Sequence, residues 1–251
     1  MPATPAWPPS SLPRLYVEET LTQGAAITLG AAPANYLVSV LRLQAGAQVK
    51  LFDDRTGEWL AELTEARKNR VTLAVTQHLR AREPVPDLWL LFAPIKRGRI
   101  DWLAEKATEL GIAQLVPVMT RRTIVDRLNL DRLRAHCIEA AEQCDRTGLP
   151  ELAEPVKLEA LLRAWPAQRA LYFADEAGGE PLAQAAAAGP AAMLIGPEGG
   201  FADAERAAIR AVPQARPITL GPRILRADTA AIAAIAVWMS RAGDWAALPD
   251  R

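Results

Sequence analysis

The chain has 251 residues, 50% hydrophobic and 23% charged, with 15 glycines and 20 prolines. That make-up fits one large or two modest globular domains and excludes a miniature scaffold or a low-complexity chain. Its 29 basic residues balance its 29 acidic ones, so any surface for a polyanion must be local. No apolar run reaches the ~20 residues that a membrane span needs.

Residues 1–13 carry five prolines and no basic residue; with no apolar core of a signal peptide, they are expected to form a loose leader. Short β-rich runs follow at 14–17, 25–29, 48–52, 58–62 and 71–79, and this density of strands over 14–82 predicts a small β-barrel. Asp53-Asp54-Arg55-Thr56-Gly57 is expected to be a hairpin turn, and 36–43 one short helix with Gly46 after it. Two prolines and no periodicity at 82–87 predict a linker.

From residue 83 the pattern changes to strand–helix alternation. The continuous apolar run at 88–93 suits a strand buried on both faces, further strands are expected at 115–119, 170–174, 191–195 and 216–220, and helical spacing marks 100–110, 131–144, 203–211 and 228–241. Segment 83–251 is therefore expected to be an α/β domain on a largely parallel sheet. Cys137 and Cys144 fall on one helix face with no set of thiols and imidazoles at metal-ligand spacing, which suits core packing in a reducing cytoplasm and no metal site. Ligands of such sheets gather at the carboxyl ends of strands, which directs attention to the loops after Ile195 and Leu220.

The first loop is Ile195-Gly196-Pro197-Glu198-Gly199-Gly200-Phe201, before a helix that Asp203 is expected to cap. It is neither a dinucleotide fingerprint nor a P-loop. The second, Leu220-Gly221-Pro222-Arg223-Ile224-Leu225-Arg226-Ala227-Asp228, crowds two arginines and a carboxylate into a turn that structure alone would not require. A third group is basic: Lys96, Arg97 and Arg99 after one strand, Arg121 and Arg122 after the next, and Arg146 after the long helix. Convergence of these groups on one rim would make a phosphate-binding edge, whereas each alone is simply solvated charge. His78 and His136 stand near no Ser or Cys motif, so hydrolase and metalloenzyme chemistry start weak.

Taken in order, Lys106-Ala107-Thr108-Glu109-Leu110-Gly111, Arg122, Glu142-Gln143-Cys144 with Arg146, and the two glycine loops running into Asp228-Thr229-Ala230 resemble the RsmE family of 16S ribosomal RNA uracil-N3 methyltransferases, of the SPOUT superfamily. The resemblance spans residue 14 to the end. It implies an N-terminal PUA-like RNA-binding barrel, a C-terminal trefoil-knotted α/β domain, a homodimer and S-adenosylmethionine (SAM) as methyl donor. The cofactor would lie against Leu194, Ile195, Gly196, Gly199, Gly200, Leu220, Gly221, Ile224, Leu225 and Arg226. Arg226 and Asp228 would stand beside the target base, and Arg14, Arg42, Arg97, Arg122 and Arg146 would contact RNA of the small ribosomal subunit. The chain departs from the family pattern in having Asp228 for the usual Glu, Cys144-Asp145 for the common Ser-Gly, and Asn35-Tyr36 where His is frequent. A methyltransferase for another RNA nucleotide and a non-catalytic RNA-binding protein are the rivals. A Rossmann oxidoreductase would need the absent fingerprint.

Overall fold

The structure, a computed structural model, describes residues 11–96, 98–125 and 127–246. Most of the expected leader and Arg97 lie outside the described residues. The chain forms two compact units: one comprises the residues up to Pro84 with Ala141–Gly148, the other Val85–Ala140 with the chain from Leu149 onward.

The first unit is built on β1 (Arg14–Tyr16), β2 (Ala26–Leu29), β3 (Gln48–Phe52), β4 (Glu58–Arg67) and β5 (Arg70–Arg80), in the sheet order β1-β3-β4-β5-β2. β1 runs parallel to β3 and the other pairs are antiparallel. Val71, Leu73 and Val75 alternate inward along β5 and meet Val49, Leu51 and Leu63 in the core, the period-2 pattern of a half-buried strand. Among the described residues no ladder joins the edge strands β1 and β2. Where one helix is expected at 36–43, α1 (Ala31–Asn35) passes into a π-helical turn at Tyr36–Val40, which buries Leu37 and leaves Tyr36 and Val40 exposed. The turn after β3 is organised by Asp53, whose carboxylate accepts the N–H groups of Leu21, Arg55 and Thr56 and the Thr56 hydroxyl. Burial pushes this carboxyl up, but those hydrogen bonds outweigh burial and hold its pKa below the ordinary Asp value.

In the second unit β6 (Leu88–Phe92), β7 (Gln114–Met119), β10 (Ala170–Ala174), β12 (Ala191–Ile195) and β13 (Ala215–Thr219) form the body of a parallel sheet, with the two-residue strands β8 (Glu151–Leu152), β9 (Val156–Lys157) and β11 (Glu180–Pro181) at its margins. The order is β11-β13-β10-β12-β6-β7-β8, with β9 paired to β7. The helices are α2 (Arg99–Glu109), α3 (Leu130–Gln143), α4 (Leu158–Arg163), α5 (Leu182–Ala185), α6 (Asp203–Arg210) and α7 (Ala227–Ala242). One sheet face packs on Leu103, Ala107, Cys137, Ala231, Ile235 and Trp238. The other packs on Leu158, Phe201 and Ile209. Burial on both faces explains why β6, β10 and β12 are apolar throughout. The short elements β8, β9, β11, α4 and α5 carry too little periodicity to be anticipated.

One topological feature matters for function. β10 is flanked by β12 on one side and β13 on the other, so the chain leaving β10 goes first to one neighbour and then to the opposite one. Open α/β sheets leave a crevice at the carboxyl ends of strands where such a switch occurs. None of the helices among the described residues is long and apolar enough to cross a membrane.

Candidate functional site

A cleft of about 300 Å3 opens at that switch point, within the size range of small-molecule sites. Both glycine loops border it, through Ile195, Gly196, Glu198 and Gly200 on one side and Leu220, Gly221, Ile224 and Leu225 on the other. Gly200 has φ +66° and Gly221 φ +111°, backbone conformations that favour glycine. A Cβ at Gly196 would lie 3.2 Å from the ring of Phe201, which is itself buried in the core. The first loop is therefore tight because its own aromatic residue folds back beneath it. A Gly200 N–H bond to the Pro197 carbonyl at 2.8 Å closes its turn.

Seven of the ten residues expected at the cofactor line the cleft: Ile195, Gly196, Gly200, Leu220, Gly221, Ile224 and Leu225. The other three do not line it. The side chain of Leu194 is fully buried on the opposite sheet face with Leu91 and Phe173, because successive strand residues point to opposite faces. Gly199 does not border the cleft; its carbonyl accepts Arg122 Nη1, and a Cβ there would meet the Arg122 methylene at 3.4 Å. Arg226 also lies off the lining: it is the residue before α7, its carbonyl accepts the Ala230 N–H at 2.8 Å, and its exposed side chain forms no hydrogen bond or ion pair among the described residues.

Asp228 stands in the first turn of α7 with its side chain 15% exposed. Its basic neighbour is Arg99 (Nε to Oδ2, 3.8 Å), which also approaches Glu198 of the first loop at 3.9 Å. Asp228 is not the cap of α7; its Oδ1 accepts the N–H of the next residue, Thr229. Asp203 is likewise not the cap of α6, which Glu205 closes by accepting the Ala202 N–H at 3.0 Å and the Arg121 N–H at 2.7 Å.

The expected RNA-contacting arginines divide. Arg42 and Arg122 are exposed, Arg42 at φ +57°. Arg14 and Arg146 are only 8% and 5% exposed, which removes them from any basic rim. The Arg14 guanidinium meets Glu58 and the carbonyls of Ala141 and Arg146, and lies 4.0 Å from the centre of the Phe52 ring. Arg146 lies 3.6 Å from Glu83. Around the same carboxylate, Arg80 reaches Glu58 at 3.1 Å and the Asp145 carbonyl at 2.6 Å. Burial pushes the Glu58 carboxyl up, but the hydrogen bonds and charges of Arg80 and Arg14 prevail and hold it below its ordinary value. The segment 141–148, which holds part of the Glu142-Gln143-Cys144 motif and Arg146, is thus fastened into the N-terminal unit by buried arginines.

The cleft also holds residues that the two-loop reading overlooks. Asp175, Glu176 and Gly178, directly after β10, line it together with Arg206 of α6. The signal was available: β10 is read correctly from the sequence, and the carboxyl-end rule applies to its loop as much as to the other two. No group of three or more His, Cys, Asp or Glu side chains among the described residues is arranged to hold a metal.

Residues 81–239 match the RNA methyltransferase domain family and residues 31–76 the RNA methyltransferase PUA domain family. Among curated proteins, a ribosomal RNA small subunit methyltransferase E from Synechocystis is 32% identical, with 89% of this chain and 76% of that one aligned. Its counterpart from Rickettsia conorii is 29% identical, over 89% and 93% of the two chains. The structure of a ribosomal RNA small subunit methyltransferase E from Neisseria gonorrhoeae bound to S-adenosylmethionine superposes with a TM-score of 0.83 at 27% identity, covering 93% of this chain and 99% of that one. A Legionella pneumophila protein whose structure holds SAM gives 0.82 at 28% identity, with the same coverage.

Proposed function

This chain belongs to the ribosomal RNA small subunit methyltransferase E family, and from that premise we propose that it moves the methyl group of SAM to N3 of a uridine in 16S ribosomal RNA, working in the cytoplasm as a homodimer. The carrying observation is that both glycine loops converge on one cleft at the switch point of the sheet, with Asp228 and Arg99 beside the second loop.

The residues present fit an adenosyl group. Ile195, Ile218, Leu220 and Leu225 supply apolar walls, and a Cβ at Gly221 would project into open space, so glycine leaves room for a ligand against the backbone. When bound, SAM supplies a methyl already activated by its sulfonium. What the chain contributes is alignment and a place for the N3 proton. Because N3 lies on the Watson–Crick edge, the uridine must be unpaired or turned out of its stack to react. In this reading Asp228 orients that edge or accepts its proton. Arg99 holds the carboxylate, and the unpartnered Arg226 is free to face the uracil oxygen on which charge develops. Arg42 and Arg122 would contact the surrounding phosphates.

Asp228→Asn tests the catalytic part. It should keep SAM affinity by calorimetry and thermal stability, since an Asn side-chain oxygen can accept the Thr229 N–H as Asp228 does, but lose roughly 10²–10⁴-fold in single-turnover methyl transfer to 16S ribosomal RNA. Near-normal turnover would remove Asp228 from the chemistry. Mapping methylated nucleosides in ribosomal RNA from a deletion strain tests the rest: a full set of N3-methyluridine there would overturn the assigned reaction.

A further inference from the structure

The loop after β10 brings to the cleft a pair of carboxylates that the reaction as described does not use. Asp175 is the inner one, with a side chain 1% exposed. Its Oδ1 lies 3.2 Å from Arg206 Nε and accepts the Ala177 N–H at 3.0 Å, and its Oδ2 accepts Arg210 Nη2 at 2.6 Å. Glu176 is the outer one, 60% exposed, and accepts Arg206 Nη2 at 2.5 Å. Arg206 therefore bridges the buried carboxylate and the open one. Glu176 also lies against the first glycine loop: a Cβ at Gly200 would come within 3.0 Å of its Oε1. Glycine at 200 thus serves its positive φ and leaves space for this carboxylate.

β10 and β12 are adjacent parallel strands, so the cleft presents a glycine loop after one strand and an acidic residue after its neighbour. That is the arrangement by which doubly wound sheets take a nucleoside, backbone against one part and a carboxylate against the ribose hydroxyls. A carboxylate with one oxygen already on a guanidinium is poorly suited to a cationic ligand, because an ammonium placed there would face Arg206. It remains a good acceptor for neutral O–H donors. We propose that Glu176 receives the ribose hydroxyls of the adenosyl cofactor, with Arg206 and, behind it, Asp175 as positioning residues that fix the orientation of its carboxylate.

The inference rests on the reading that the cleft binds SAM, and the test separates the two. Calorimetry with S-adenosylhomocysteine, and displacement by adenosine and by 2′,3′-dideoxyadenosine, is to be run on the wild type, Glu176→Ala, Glu176→Gln and Arg206→Ala. The wild type should prefer adenosine to the dideoxy nucleoside by roughly 10- to 100-fold, the range for hydrogen bonds to a charged group. Glu176→Ala should lose that preference and weaken S-adenosylhomocysteine by a similar factor without affecting the dideoxy nucleoside. Glu176→Gln should retain part of it, and Arg206→Ala should reduce it. A wild type indifferent to the hydroxyls, or a Glu176→Ala that keeps the preference, overturns the inference. So does a loss confined to S-adenosylhomocysteine, which would assign the carboxylate to the amino-acid end. A wild type that binds neither SAM nor S-adenosylhomocysteine overturns the function itself. Glu176 is exposed, so the thermal midpoint of its variants should not move.

Discussion

The arginines around Glu58 and those around the cleft are the same residue type put to opposite uses. Arg14, whose side chain is 4% exposed, closes on a Glu58 side chain that is 3% exposed and extends past it to the carbonyls of Ala141 and Arg146. Arg99, Arg122 and Arg226 keep guanidinium surface open beside the cleft loops. A buried arginine must have all its charge and donors matched, whereas an open one can leave them for a ligand. The difference teaches that position at the end of an element does not reveal which role an arginine plays; the acceptors around it do.

The comparison breaks most visibly at Glu58. Glu58→Ala leaves Arg14 buried without its carboxylate and should cost about 3–5 kcal/mol, read as a fall in the urea midpoint, with cofactor affinity at low denaturant unchanged. The same group predicts a pH dependence. A carboxylate whose folded pKa lies below its unfolded value of about 4.5 contributes stability that is fully present above that value and is lost as pH falls through the folded pKa. Acid unfolding of the wild type should therefore be steeper below about pH 4.5 than that of Glu58→Gln.

At the cleft, Gly221→Val forces a β-branched residue to φ +111°, a strain of order 1–3 kcal/mol that a loop relieves by moving, so SAM affinity should fall roughly tenfold or more by calorimetry. Gly199→Val, whose Cβ meets only the side chain of Arg122, should change SAM affinity far less, and equal losses in the two variants would return Gly199 to the cofactor site. For the open arginines, Arg122→Ala should weaken RNA binding a few-fold and reduce the salt slope by about one. Arg14→Ala should leave that slope alone while lowering stability. The smallest effect concerns Asp145, which holds φ +63° where the family commonly has glycine. Asp145→Gly should shift stability upward by less than about 1 kcal/mol.

Much of the scaffold was legible in the chain. The strands of the first sheet, the longer strands of the parallel sheet, the long helices and the loop positions follow from periodicity, because a half-buried strand alternates and a strand buried on both faces, such as β6 or β12, is apolar along its length. The two glycine loops were legible too, since few residues other than glycine satisfy their backbone. The charged side chains were not. Arg14, Arg146 and Arg122 look alike in sequence, and only the fold brings Glu58, 44 residues away, and the Ala141 carbonyl, 127 residues away, to Arg14. Likewise the pairing of Asp228 with Arg99, and of Glu176 with Arg206, joins elements far apart in the chain.

By itself, then, the sequence determined an α/β unit preceded by a small β unit, and two strand-end loops built for close approach of a ligand, because backbone conformation and burial are local demands that residue type answers directly. The tertiary structure alone decided that 141–148 belongs with the N-terminal unit, that β10 is the switch point, and which arginines are matched and which remain open. Those are properties of charge and hydrogen bonding between distant segments, and no local pattern encodes a partner that only the fold brings within reach.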